Sequence, residues 1–140
     1  MSKVYISIGS NLNAEENIAL AKFELKKLFN CSFSDTFNSK AIGFSGNDFL
    51  NLVAGFTYES NPYVLKKILK DIEIKMGRDS DQKGMSDRVI DLDLILFGKL
   101  IIQNEVLSLP SKDIEKHLFV LEPLSQIAGN EIHPLLNISF

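Results

Sequence analysis

A single cysteine, Cys31, is all that this 140-residue chain holds, so an intramolecular disulfide and any Cys-based zinc cluster are excluded. The lone thiol reads as packed at the start of a strand and fits a reducing compartment. Nowhere do ~18 consecutive apolar residues occur. The opening MSKVYISIGSN has no long apolar run after Lys3, so neither a membrane span nor a secretory signal is expected, and the chain reads as cytoplasmic. An excess of one charge is missing too. With 15 basic and 18 acidic residues the net charge is −3, which offers no global field to a nucleic acid or a membrane surface. Neither a Walker A sequence nor GxGxxG is present, which removes the P-loop and Rossmann phosphate sites. No repeat, low-complexity segment or linker rich in Pro, Gly or Ser divides the chain, so residues 1–140 are expected to form one domain around one core.

What is there is an ordinary globular balance, 45% hydrophobic and 24% charged, with the apolar residues in legible periods. VYISI at 4–8 reads as a strand that stops at GSN, and a helix follows with Ile18, Ala21, Leu25, Leu28 and Phe29 at helical spacing. Residues 32–37 suggest a second strand, SKAIGFSGND at 39–48 a loop, and FLNLVAGFTY at 49–58 a third strand. Asn61-Pro62 opens a second amphipathic helix carrying Leu65, Ile68, Leu69, Ile72 and Met76, with Gly77 past its end. The polar, aperiodic GRDSDQKGMSDR at 77–88 is long enough for a binding loop. VIDLDLILFG then returns to strand composition, LIIQNEVLSLP to a short strand or hairpin, and SKDIEKHLFVLEPLSQIAG to a turn and short helices. The order β-α-β-β-α-β predicts an α+β, ferredoxin-like fold, an antiparallel sheet covered by helices.

The segment from Val89 to Gly98 sets two aspartates into an otherwise apolar strand. Alternation puts Asp91 and Asp93 on one face with Val89, Ile95 and Phe97. Residues i and i+2 lie roughly 7 Å apart and aim the same way, so the carboxylates can converge. Two close carboxylates repel unless they face water or hold a cation between them. Mg²⁺ takes one or two carboxylates and completes its shell with water and substrate phosphates. Glu73, Arg78, Lys83 and Arg88 crowd the same region, so acids for a metal and bases for a polyphosphate stand together. Taken singly, the acids read equally as a solvated strand end and the loop charges as a solvated surface.

VYISIGSNL at the start, GF followed by DFLN at 43–51, IEIKMGR at 72–78, DRVIDLDLILFG at 87–98 and LFVLEPLSQIAG at 118–129 together resemble the 6-hydroxymethyl-7,8-dihydropterin pyrophosphokinases of folate synthesis. The resemblance implies ATP and the dihydropterin as substrates, transfer of the β,γ-pyrophosphoryl group to the pterin hydroxymethyl with release of AMP, and a monomer. Asp91 and Asp93 correspond to the family's ligands for a pair of Mg²⁺ ions, with Arg78 and Arg88 at its catalytic arginines. Asn51 matches the amide that reads the pterin edge, Phe49 and Phe119 the aromatics that sandwich the ring, and Ser39 and Ile42 the loop positions that touch it through the backbone. Glu73, Arg78, Lys83, Arg88, Leu94, Ser111, Lys112 and His117 fall at ATP-contacting positions.

The ATP side departs from the family pattern. Ser80, Gly84 and Met85 stand where the loop normally offers arginines and a tryptophan, Ser111 where a His is usual, and His117 where an Arg is usual. Guanidinium groups bind phosphate bidentately, and the nearby Lys83, Lys112 and Lys116 replace them only as point charges. Two readings follow: an active Mg²⁺-dependent pyrophosphokinase, or a catalytically impaired paralogue that binds a pterin or a nucleotide.

Overall fold

A computed structural model describes residues 2–41, 46–77, 89–136 and 138–140. The proposed contacts at Ile42, Arg78, Lys83 and Arg88, and the departures at Ser80, Gly84 and Met85, lie outside the described residues.

β1 (Ser2–Ser10), β4 (Phe49–Tyr58) and β5 (Asp91–Phe97) form the body of one antiparallel sheet, with the short β2 (Ser32–Phe33) and β3 (Phe37–Ser39) both paired to β4. The strand order β2-β4-β1-β5 makes β1 central and β5 an edge. Even-numbered residues of β1 and β4, among them Val4, Ile6, Ile8, Leu52, Ala54 and Phe56, turn to a core shared with α1 (Ala14–Leu28) and α2 (Pro62–Lys75). The opposite face, with Tyr5 and Val53, packs against α3 (Asp113–Lys116) and α4 (Leu118–Ala128). A small hairpin, β6 (Ile102–Gln103) and β7 (Ser108–Leu109), leads from β5 to α3. The layers are therefore helix, sheet, helix, as the ferredoxin-like order predicts.

α2 shows why the sequence folds locally as it does. The Asn61 side chain accepts a hydrogen bond from Val64 N at 3.0 Å and Pro62 takes the first helical position. Leu65, Leu69 and Ile72 recur at helical spacing and are buried, each contributing about 1.5–3 kcal/mol. Gly77 ends the helix at φ 97°, a left-handed backbone that a side chain would strain. In α1 the buried stripe is Ile18, Ala21 and Leu25, whereas Leu28, expected on the same face, is 56% exposed because the stripe has rotated past it by the last turn. Cys31 is half-buried just before β2, and burial pushes its thiol up to about 11.

β5 departs from simple alternation. Asp93 pairs with Ser7 and Leu94 with Ile6, but Tyr5 pairs with Leu96 and Val4 with Phe97, leaving Ile95 as the extra residue of a bulge. The bulge moves Phe97 into the α1/α2 layer, where it meets Tyr58 edge-on with ring centroids 6.2 Å apart. Val89 packs on that layer as well, so of the three apolar residues expected beside the aspartates only Ile95 lies on the α3/α4 side.

Tyr5 lies across its strand neighbour Gly55, where a Cβ would come within 2.8 Å of the ring carbon Cε1. Burial and then the adjacent Glu131 carboxylate, which shares a hydrogen bond with the phenol, push Tyr5 up to about 12. Gly55→Ala is expected to lower stability by about 1–3 kcal/mol through overpacking. A denaturant midpoint equal to that of the parent chain would contradict this.

Candidate active site

Register brings the proposed site residues into two rows across the α3/α4 face of the sheet. In the first, Phe37 is opposite Asn51, Asn51 opposite Gly9, and Gly9 opposite Asp91. In the second, Val53 is opposite Ser7 and Ser7 opposite Asp93. With strands about 4.8 Å apart, Asn51 and Asp91 stand about 10 Å from one another, two strands across. Between them the floor is bare backbone. A Cβ on Gly9 would meet Asn51 Oδ1 at 3.2 Å and Phe49 Cδ1 at 3.9 Å. Sequence reasoning used GSNL only as part of a resemblance and assigned Gly9 no role, although a glycine inside an apolar strand is itself a signal of close approach.

Asn51 is 6% exposed. Its Nδ2 donates to Ser39 Oγ at 2.7 Å and, at 3.5 Å, to the Phe37 carbonyl, which fixes the plane of the amide. Phe49, two residues along β4, shares the face of Asn51 and is half-buried. Phe119 reaches the same side from α4, beside a cavity of about 390 Å³ that Phe37, Ser39, His117 and Glu122 also line. Ser39, Phe49, Asn51 and Phe119 are thus gathered in one region, two of them flat half-buried rings.

A second cavity, about 290 Å³, lies along the edge of β5 beside α2 and the hairpin. Glu73, Asp91, Asp93, Asp113, Leu94, Ser111, Lys66 and Lys70 line it. Glu73 is buried, and its Oε2 accepts from Leu92 N at 2.7 Å, taking the place of a neighbouring strand at the sheet edge. Asp91 and Asp93 converge closely enough to share a hydrogen bond. Burial among protein atoms, then the negative charges of Asp91, Glu73 and Asp113, push Asp93 up to about 8. Its side chain still reaches solvent, so water screens part of that repulsion.

A carboxyl raised from 3.8 in the unfolded chain to about 8 in the fold stabilises fully below pH ~4 and loses that contribution as pH rises through about 8. In chelator, Asp93→Asn is therefore expected to stabilise the protein more at pH 8 than at pH 5. Equal gains in denaturation midpoint at the two pH values would refute this electrostatic account.

Ser111 is held by its own N–H, which donates to the Ile95 carbonyl at 2.8 Å, while its Oγ accepts from Asp113 N at 3.2 Å. Lys112 lines an adjoining hollow of about 560 Å³ that shares Ser108, Ser111 and Asp113 with the acid cavity. His117 does not line that cavity: it stacks on Phe119 with centroids 4.6 Å apart and planes 18° from parallel. His133, to which the sequence gave no chemistry, is buried and accepts from Leu135 N and Leu136 N through Nδ1. Lys66 donates to the Val106 carbonyl across the cavity mouth. Lys66, Lys70 and Asp113 were not singled out from sequence. The two lysines lie one turn apart and on the side of α2 that carries Glu73, so helical spacing could have found them, whereas Asp113 arrives only through the fold.

Two seryl and asparaginyl groups at the end of β1 tie this region together. Ser10 Oγ donates to the Val89 carbonyl at 2.6 Å, at the entrance to β5, and Asn11 Nδ2 donates to the Asn47 carbonyl at 3.1 Å, just before β4. Among the described residues no three His, Cys, Asp or Glu side chains gather as a ready-made metal cage. The aspartate pair offers two converging carboxylates, the all-oxygen set that suits a Mg²⁺ completed by water and phosphate.

A ring-sized slot beside paired acids and lysines on one sheet face defines an α+β enzyme of the phosphoryl-transferring kind. The sequence profile of the family described as 7,8-dihydro-6-hydroxymethylpterin-pyrophosphokinase matches residues 5–129, and the chain belongs to that family. It is 35% identical over 139 residues to 2-amino-4-hydroxy-6-hydroxymethyldihydropteridine pyrophosphokinase of Haemophilus influenzae, covering 96% of this chain and 86% of that protein. The Aquifex aeolicus protein of the same name is 32% identical, with 96% and 86% covered. The Folic acid synthesis protein FOL1 of Dictyostelium discoideum is 36% identical over 97% of this chain, which spans only 21% of that longer protein.

Proposed function

We propose that this chain performs its family's reaction, transfer of the β,γ-pyrophosphoryl group of ATP to the hydroxymethyl of 6-hydroxymethyl-7,8-dihydropterin, leaving AMP, in folate biosynthesis. The observation that carries the proposal is the row Asn51–Gly9–Asp91, which sets a fixed amide and an acid pair on one floor at about the length of a small bicyclic substrate.

In this reading Asn51, oriented by Ser39, hydrogen-bonds the heteroatom edge of the ring, and Phe49 and Phe119 stack on its faces. Gly9 lets the ring lie directly on the sheet. The hydroxymethyl end then points along the floor toward Asp91 and Asp93. These two carboxylates would hold a pair of Mg²⁺ ions, which when bound neutralise polyphosphate charge and align the attacking and leaving oxygens. Lys66 and Lys70 face the same cavity and add positive charge toward the polyphosphate, with Arg78, Lys83 and Arg88 assigned the same task from sequence. Leu94, Ser111 and Lys112 line the space left for the rest of the nucleotide. Glu73 acts at one remove, since its carboxylate anchors Leu92 between the two aspartates. No strong base is required of the protein, because phosphoryl transfer depends mainly on positioning and charge neutralisation.

Residues 1–140 acting as one domain, a monomer and a cytoplasmic setting accompany this reading; no helix among the described residues is long and apolar enough to cross a membrane. The test is release of AMP from ATP and 6-hydroxymethyl-7,8-dihydropterin, with and without Mg²⁺. AMP that depends on both pterin and metal is expected. Absence of AMP, with pterin still bound in a calorimetric titration, would replace the enzyme by the pterin-binding module.

A further inference from the structure

His117 stands at the wall between the ring slot and the acid cavity. On one side its imidazole stacks on Phe119, a wall of the slot. On the other its Nε2 lies 4.0 Å from Asp113 Oδ1, and Asp113 lines both the acid cavity and the hollow beside it. The other charged groups facing the slot with it are Lys116 from α3 and Glu122 from α4, while β3 contributes only the neutral Phe37, Asn38 and Ser39. At 4.0 Å the pair with Asp113 is loose and half-exposed, so it holds the ring weakly. A polyphosphate arriving beside Asp113 offers the same Nε2–H a far stronger acceptor.

We propose that His117 is a positioning residue of the pyrophosphate transfer: as imidazolium, it leaves Asp113 for a phosphate oxygen of ATP while remaining against Phe119, and so links nucleotide binding to the ring slot and to pH. The inference rests on the reaction assigned above. An arginine in this position would hold phosphate at any pH near neutrality, whereas an imidazole changes charge between about pH 5 and 8. The nucleotide affinity of this chain therefore falls as the imidazole loses its proton.

The experiment uses the α,β-methylene analogue of ATP, whose bridge cannot be cleaved, with Mg²⁺. The chain has 2 histidines, so the imidazole proton resonances can be followed individually by NMR, with His117→Gln supplying the assignment. Adding the analogue is expected to move the titration midpoint of His117 upward by about one pH unit, equivalent to about tenfold in affinity, and to leave that of His133 in place. Calorimetric affinity should fall from pH 6 to pH 8 by about tenfold more in the parent chain than in His117→Gln, with His117→Arg tight at both pH values. A His117 resonance unmoved by the analogue, or an equal pH dependence in parent and His117→Gln, would overturn the proposal. Binding needs no turnover, so a moved resonance in a chain that releases no AMP would defeat the catalytic reading while leaving the contact intact.

Discussion

Asp91→Ala and Asp93→Ala will each lower AMP formation by roughly a hundred- to a thousandfold, the scale of removing one group that meets developing charge in a transition state. Neither change will destabilise the metal-free protein. The two carboxyls lie within hydrogen-bonding reach of one another, and Asp93 carries repulsion from Asp91, Glu73 and Asp113 as well as partial burial. Deleting either acid relieves that repulsion, so melting temperature in chelator should hold or rise as activity collapses. Function and stability thus move in opposite directions, which is the mark of residues kept for a ligand rather than for the fold. Steady-state AMP release and thermal denaturation on the same preparations decide the matter. Retained turnover in either variant would remove the pair from the chemistry; lost turnover accompanied by unfolding would leave the acids a structural part only.

Gly9→Val will lower kcat/KM for the pterin by about a hundredfold, the loss expected when reacting groups are misplaced by about 1 Å. The new Cβ would begin 3.2 Å from Asn51 Oδ1, and the branched methyls would rise from the floor between Asn51 and Asp91. Asn51 must then tilt, although its Nδ2 is tied to Ser39 at 2.7 Å. Valine is otherwise at home in a strand, so the sheet should persist. Affinity for the non-cleavable ATP analogue, measured without pterin, should stay within a few-fold of the parent. A fall in both affinities together would mean distortion of β1; no change in pterin KM would mean that the ring does not lie on Gly9.

Local chemistry made the elements readable. Asn61-Pro62 and Gly77 bound α2 where the sequence put its ends, because a side-chain cap, a fixed φ and a left-handed backbone are each decided within a few residues. The convergence of Asp91 and Asp93 was legible for the same reason, since i and i+2 on a strand share a face whatever the partner strand does. Phe97 was misplaced because the bulge at Ile95 is set by pairing with β1, which the strand's own sequence does not display. Asp113 and the position of His117 were hidden likewise: α3 reaches the acids only after the hairpin and the turn at Ser111 have brought the chain back across the sheet. Lys66 and Lys70 were within reach of a helical-spacing argument, but attention to the apolar face of α2 passed over its polar one. The ring-reading role of Asn51 came from family resemblance alone; what the fold adds is the hydrogen bond from Ser39 and the bare floor at Gly9.

The most direct test of the central claim, that the aspartate pair exists to hold divalent metal against ATP, is a count of bound Mn²⁺ by electron paramagnetic resonance. Mn²⁺ replaces Mg²⁺ at oxygen-ligand sites, and the titration is done with the α,β-methylene ATP analogue and pterin present. The account predicts a pair of mutually coupled ions per chain, about 3.5–4 Å apart, and loss of the coupled signal in Asp91→Asn and in Asp93→Asn. An identical coupled signal in the parent and in both variants would contradict it.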